Sequence, residues 1–151
     1  MKKRLIIVLS ILLAFMMVGC GKKEQVADTL GGKYVNAFNS SKSSDADSMV
    51  NDLLEGVEAP YDLLPIEVEP GYLNGFDTEI NGFNKGVMFA PMIGSIPFVG
   101  YVFETDNAGA LETMLKENAN MRWNICTEAD EMVSATKNNL VFFMMCTNED
   151  Q

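Results

Sequence analysis

The stretch Met132-Val133-Ser134-Ala135-Thr136-Lys137-Asn138-Asn139-Leu140-Val141-Phe142-Phe143-Met144-Met145-Cys146 decides the fold. Two runs with strand character flank an Asn-Asn pair, and asparagine tolerates the positive φ of a tight turn, so the stretch predicts a β-hairpin with a type I′ turn. In that register Lys137 lies opposite Leu140, Ala135 opposite Phe142, and Glu131 opposite Cys146. The second run offers no polar residue between Leu140 and Met145. A strand with neither face polar must be covered on both sides, so it belongs inside a sheet. An edge position would leave it open to aggregation.

Upstream, residues 87–103 carry no charge and contain Pro91 and Pro97 around Met92-Ile93-Gly94-Ser95-Ile96. Strands over 87–90 and 98–103 joined by a loop account for this best. Prolines, glycines and short length disfavour membrane insertion. If the loop tip is exposed, Met92, Ile93 and Ile96 form an apolar patch suited to a partner. Small domains more often bury such residues, so a buried loop is the expectation to be tested.

Helices are expected where apolar residues recur three or four apart. Val26, Leu30, Tyr34 and Phe38 give one such face, weakened by Gly31 and Gly32. Ser44 is placed to cap a second helix with Met49, Val50, Leu53, Leu54 and Val57 inward. Asn107 ends a polar step into a third, residues 108–118, with Leu111, Met114 and Leu115 inward and a Glu112–Lys116 pair outward. A short strand over 121–126 and a one-turn capping box from Thr127 to Asp130 should follow. The Pro- and Gly-rich segment 59–86 reads as an ordered loop with one strand near 66–69. The sum is an α+β domain: N-terminal helices, then a mainly antiparallel sheet of four or five strands with a crossover helix and a C-terminal hairpin.

The first twenty residues read as an export signal. Lys2, Lys3 and Arg4 precede an apolar run over 5–18 broken only by Ser10. As a helix that run spans ~21 Å, short of a ~30 Å hydrocarbon core. Met17-Val18-Gly19-Cys20-Gly21 resembles the lipobox of bacterial lipoproteins, which implies cleavage before Cys20 and a thioether-linked lipid on its thiol, with acyl chains such as palmitate. The expected organisation is a signal peptide over 1–19, a lipidated tether over 20–25, and a single α+β domain over 26–151. Later phrases, from Ile93-Gly-Ser-Ile-Pro to Phe103 and from Arg122-Trp-Asn-Ile-Cys to Asp130, resemble small uncharacterised lipoproteins of Gram-positive anaerobic bacteria. That resemblance implies a shared fold and an address on the outer face of the cytoplasmic membrane, and brings no catalytic or binding residue with it.

Composition narrows the chemistry. Histidine is absent, which excludes Ser-His-Asp and Cys-His catalysis and histidine metal sites. Losing the signal would leave 8 basic against 21 acidic residues, a net of −13. Such a surface repels nucleic acid and anionic head groups, so no nucleic acid partner is expected. Asp77, Glu79 and Asn81 alternate before Gly82 as in a calcium loop. Lys85 and Met88 then occupy the ninth and twelfth positions, where ligands are required, which leaves only a weak calcium candidate. Eight methionines of the mature part show no copper-type clustering and read as core filling.

Cys126 and Cys146 could form a disulfide if the strand holding Trp123 lies beside the last one; burial as free thiols is the alternative. No catalytic residue and no cofactor is expected. Partners are the membrane, through the anchor, and another envelope protein. The preferred function is a non-catalytic binding or protein-interaction module at the cell envelope. The alternatives are a small extracytoplasmic enzyme using carboxylate or cysteine chemistry, and a cation-binding module.

Overall fold

The continuous apolar run becomes the second strand from one edge of a five-stranded sheet, buried at every position. A computed structural model describes residues 28–148; Cys20, the tether and Val26 lie outside the described residues. Elements run α1 (Leu30–Ser40), α2 (Ala46–Gly56), β1 (Leu63–Val68), β2 (Gly71–Tyr72), β3 (Glu79–Ile80), β4 (Lys85–Pro91), β5 (Val99–Glu104), α3 (Ala108–Asn118), β6 (Glu131–Lys137) and β7 (Leu140–Cys146). The large sheet has the order β1-β4-β5-β7-β6, and β2 pairs with β3 in a separate ribbon. Every neighbouring pair is antiparallel. β5 and β6 therefore run parallel with β7 between them, and α3 is the crossover that joins them.

Alternation along β7 divides the core. Leu140, Phe142, Met144 and Cys146 face α1 and α2, where Tyr34, Phe38, Met49 and Leu53 meet them. Val141, Phe143 and Met145 face α3 and the segment around Phe76 and Phe83. Each large side chain removed from water contributes roughly 1.5–3 kcal/mol, and this two-sided burial is what requires an all-apolar strand. The edge strand β1 leaves Leu64 and Ile66 about half exposed. Pro65 lies on it, where a missing N–H blunts pairing with another chain.

The hairpin register matches expectation: Lys137 pairs with Leu140, Ala135 with Phe142 and Glu131 with Cys146. The turn differs. Only Asn138 takes a positive φ, 54°, whereas type I′ needs it at both central residues. The capping of α2 moves by one residue, because the Asp45 carboxylate accepts from Ser48 N at 2.9 Å and Ser44 stays outside. Asn107 caps α3, its Oδ1 accepting from Ala110 N at 3.1 Å, and Lys116 reaches Glu112 at 2.8 Å.

Three expectations for the loops fail. Segment 59–86 contains the ribbon β2–β3 besides β1; two-residue strands leave no alternation to read. Residues 121–126 are turns, held by Trp123 N donating to Asn120 O at 3.1 Å. Thr127 caps nothing, since its hydroxyl donates to Ser95 O at 3.1 Å.

Candidate functional site

Two connections meet at one end of the sheet. The first, between β4 and β5, folds on itself through Ile96 N donating to Ile93 O at 3.2 Å. The second, between α3 and β6, is joined to it by Asn124 Nδ2 donating to Gly94 O at 2.7 Å and by the Thr127–Ser95 bond. Local polar side chains thus satisfy the backbone while the apolar ones turn outward. Met92 is 79% exposed, Ile93 63% and Ile125 100%. The expectation of a buried loop is overturned for Met92 and Ile93: Asn124 and Thr127 bond the carbonyls of Gly94 and Ser95, so the loop is held through its backbone and these side chains stay uncovered.

Between the loops lies a groove of about 550 Å³, lined by Ile93, Ile96, Val99, Trp123 and Ile125 among others. No Asp, Glu, Lys or Arg lines it; its polar groups are Asn74, Ser95, Asn124 and the Cys126 thiol. Trp123 is partly buried against the core cluster that contains Tyr101 and Phe143, and it also lines the groove. The nearest ion pair, Arg122 Nε to Glu128 Oε2 at 2.8 Å, stands outside the lining. The site can hold apolar groups and offers no charged group to a reaction. Of the sequence-predicted patch, Met92 and Ile93 are exposed and Ile96 is half-buried. Ile125 and Trp123 were not foreseen as members of it, since nothing in the local sequence shows that residues 121–126 fold over residues 92–96.

The other candidates are dispersed. Cys126 is exposed at the groove and Cys146 is buried on the helix-facing side of β7, so the two thiols are free. With 121–126 not a strand, nothing carries Cys126 to that face. The Cys146 Sγ lies 3.6 Å from Glu131 Oε2. Burial first, then the Glu131 charge, pushes its thiol well above the ordinary cysteine range. A nucleophilic cysteine needs the opposite shift. Asp77, Glu79 and Asn81 surround no common point: Asp77 Oδ1 accepts from Asn120 Nδ2 at 2.7 Å, and Glu79 is in the β2–β3 ribbon opposite Tyr72. Among the described residues no group of three or more His, Cys, Asp and Glu side chains is placed to hold a metal ion, and no helix is long and apolar enough to cross a membrane. Comparison with protein-family models, with curated proteins and with solved structures gave no match.

Proposed function

We propose that this protein is a non-catalytic docking module of the bacterial cell envelope, held on the outer face of the cytoplasmic membrane by lipid on Cys20, and that it docks through the groove between residues 92–96 and 123–126. The observation that carries the docking half is the exposure of Ile93 and Ile125 on one uncharged groove, with exposed Met92 beside Ile93 in the same loop. Contiguous apolar surface of this kind is uncommon on a soluble monomer unless something covers it. A neutral, apolar groove also suits a non-polar contact better than proton transfer or cation binding, which need titratable groups. The anchoring half rests on the lipobox-like sequence ending at Cys20.

The test is expression of the full precursor in a lipoprotein-processing Gram-positive host, comparing wild type with Cys20→Ala. Acyl mass and membrane fractionation of the wild type alone are expected. Cleaved, lipid-free protein released from both would overturn the anchoring.

A further inference from the structure

The groove has a fixed place relative to where the chain enters the domain. The Thr29 hydroxyl donates to Glu131 Oε1, and Gly31 N donates to Glu131 Oε2 at 3.0 Å. Glu131 and Cys146 form the end rung of β6 and β7. From there α1 runs along β6 to its other end, where Lys137 Nζ donates to the Asn39 and Ser41 carbonyls. On the same sheet end as Glu131, Val99 opens β5 opposite Met145, and Pro91 closes β4. The chain therefore enters at the end of the sheet that carries the groove. Between β6 and β4 lie three strand spacings, ~14 Å. Residues 20–27, even fully extended, span at most ~29 Å. A lipid on Cys20 consequently keeps the start of α1, at this end of the sheet, within ~29 Å of the bilayer.

Charge alone does not favour this end, since exposed Asp28, Asp62 and Asp130 lie at it. At the opposite end of the sheet are Lys85 paired with Asp47, Glu104 and Lys137. At the groove end Glu128 is paired with Arg122, and Glu131 is occupied by Thr29 and Gly31. We infer that the groove face contacts the bilayer itself, with Met92, Ile93 and Ile125 entering the lipid interface beside the anchor and Trp123 at its edge. This rests on the Cys20 anchoring proposed above. The acidic domain would not seek a membrane unaided, but attachment through the eight residues from Cys20 to Ala27 converts insertion into an intramolecular event at high effective concentration. Weak apolar contacts then suffice, and tryptophan is suited to a site with one apolar and one wet side.

Trp123 is the only tryptophan in the chain and so reports on its own surroundings. The lipidated full-length protein is reconstituted in phosphatidylcholine vesicles whose acyl chains are brominated near the head group, and tryptophan emission is compared with that in unbrominated vesicles. Quenching is expected. Met92→Asp, Ile93→Asp and Ile125→Asp together should reduce it at least about threefold while the protein still floats with the vesicles. All three positions are exposed, and an unchanged thermal midpoint checks that the variant is folded. A floating, acylated protein whose Trp123 is unquenched, or quenched equally in the triple variant, overturns the inference and leaves the anchoring intact. Emission that shifts only in native membranes assigns the face to a membrane protein and overturns it too. Absence of acyl mass overturns the anchoring first, and this inference with it.

Discussion

Glu131 Oε2 accepts a hydrogen bond from Gly31 N at 3.0 Å, and a Cβ on Gly31 would stand only 2.7 Å from the Glu131 carboxyl carbon. One contact thus joins the start of α1 to the start of β6 and explains why glycine occupies a helical turn. The carboxylate also places negative charge at the positive end of the helix.

Gly31→Ala should therefore destabilise the domain by about 1 kcal/mol. The helix-propensity gain of ~0.5–1 kcal/mol is outweighed by displacing a charged hydrogen-bond acceptor that contributes ~1.5–3 kcal/mol. Glu131→Ala should cost ~2 kcal/mol, and in that background Gly31→Ala should become stabilising. Urea denaturation of the four proteins gives the cycle; a Gly31→Ala effect of the same sign and size in both backgrounds would refute the relationship.

Gly100 and Phe89 face each other across β4 and β5, and a Cβ on Gly100 would lie 2.2 Å from the Phe89 ring. Phe89 is fully buried beneath Tyr34 and cannot withdraw. Gly100→Ala should cost ~3 kcal/mol by overpacking. Combined with Phe89→Leu the loss should be less than additive by ~1 kcal/mol or more. Additive losses in thermal or urea unfolding would show that the ring has other room.

The two thiols should differ sharply in reactivity. In the Cys20→Ala protein without denaturant, a thiol reagent should modify one cysteine rapidly, identified by peptide mass as Cys126, and the second, Cys146, only on unfolding. A protein unreactive until reduced would reveal a disulfide and contradict this arrangement.

Stability should fall at alkaline pH. Burial raises the Cys146 thiol above its ordinary 9.0, helped by Glu131, and raises the Tyr34 and Tyr101 phenols above 10.0. A raised folded-state value means the folded chain keeps protons that the unfolded chain releases. The stabilisation is complete below the unfolded values and is lost as pH climbs from about 9 towards the folded ones. The urea midpoint should be level between pH 7 and 8 and decline above 9, and Cys146→Ala should remove part of the slope. A midpoint that rises with alkali would reverse the sign.

The hairpin register, the interior place of β7, the span of α3 and the α+β class were all legible in the residues. They depend on periodicity and on burial of local apolar runs, and an all-apolar strand has no alternative environment. The lipobox-like stretch around Cys20 lies outside the described residues. What the local sequence left open was decided by packing between segments far apart in the chain. Trp123 and Ile125 reach the groove only because Asn124 and Thr127 bond carbonyls about thirty residues earlier. Cys126 and Cys146 sit apart because residues 121–126 form turns, and Gly31 is explained only by Glu131, a hundred residues away. A residue's own neighbours fix whether it is apolar, capping or turn-forming; which surface it ends up sharing follows from long-range contacts, and the groove is made of those.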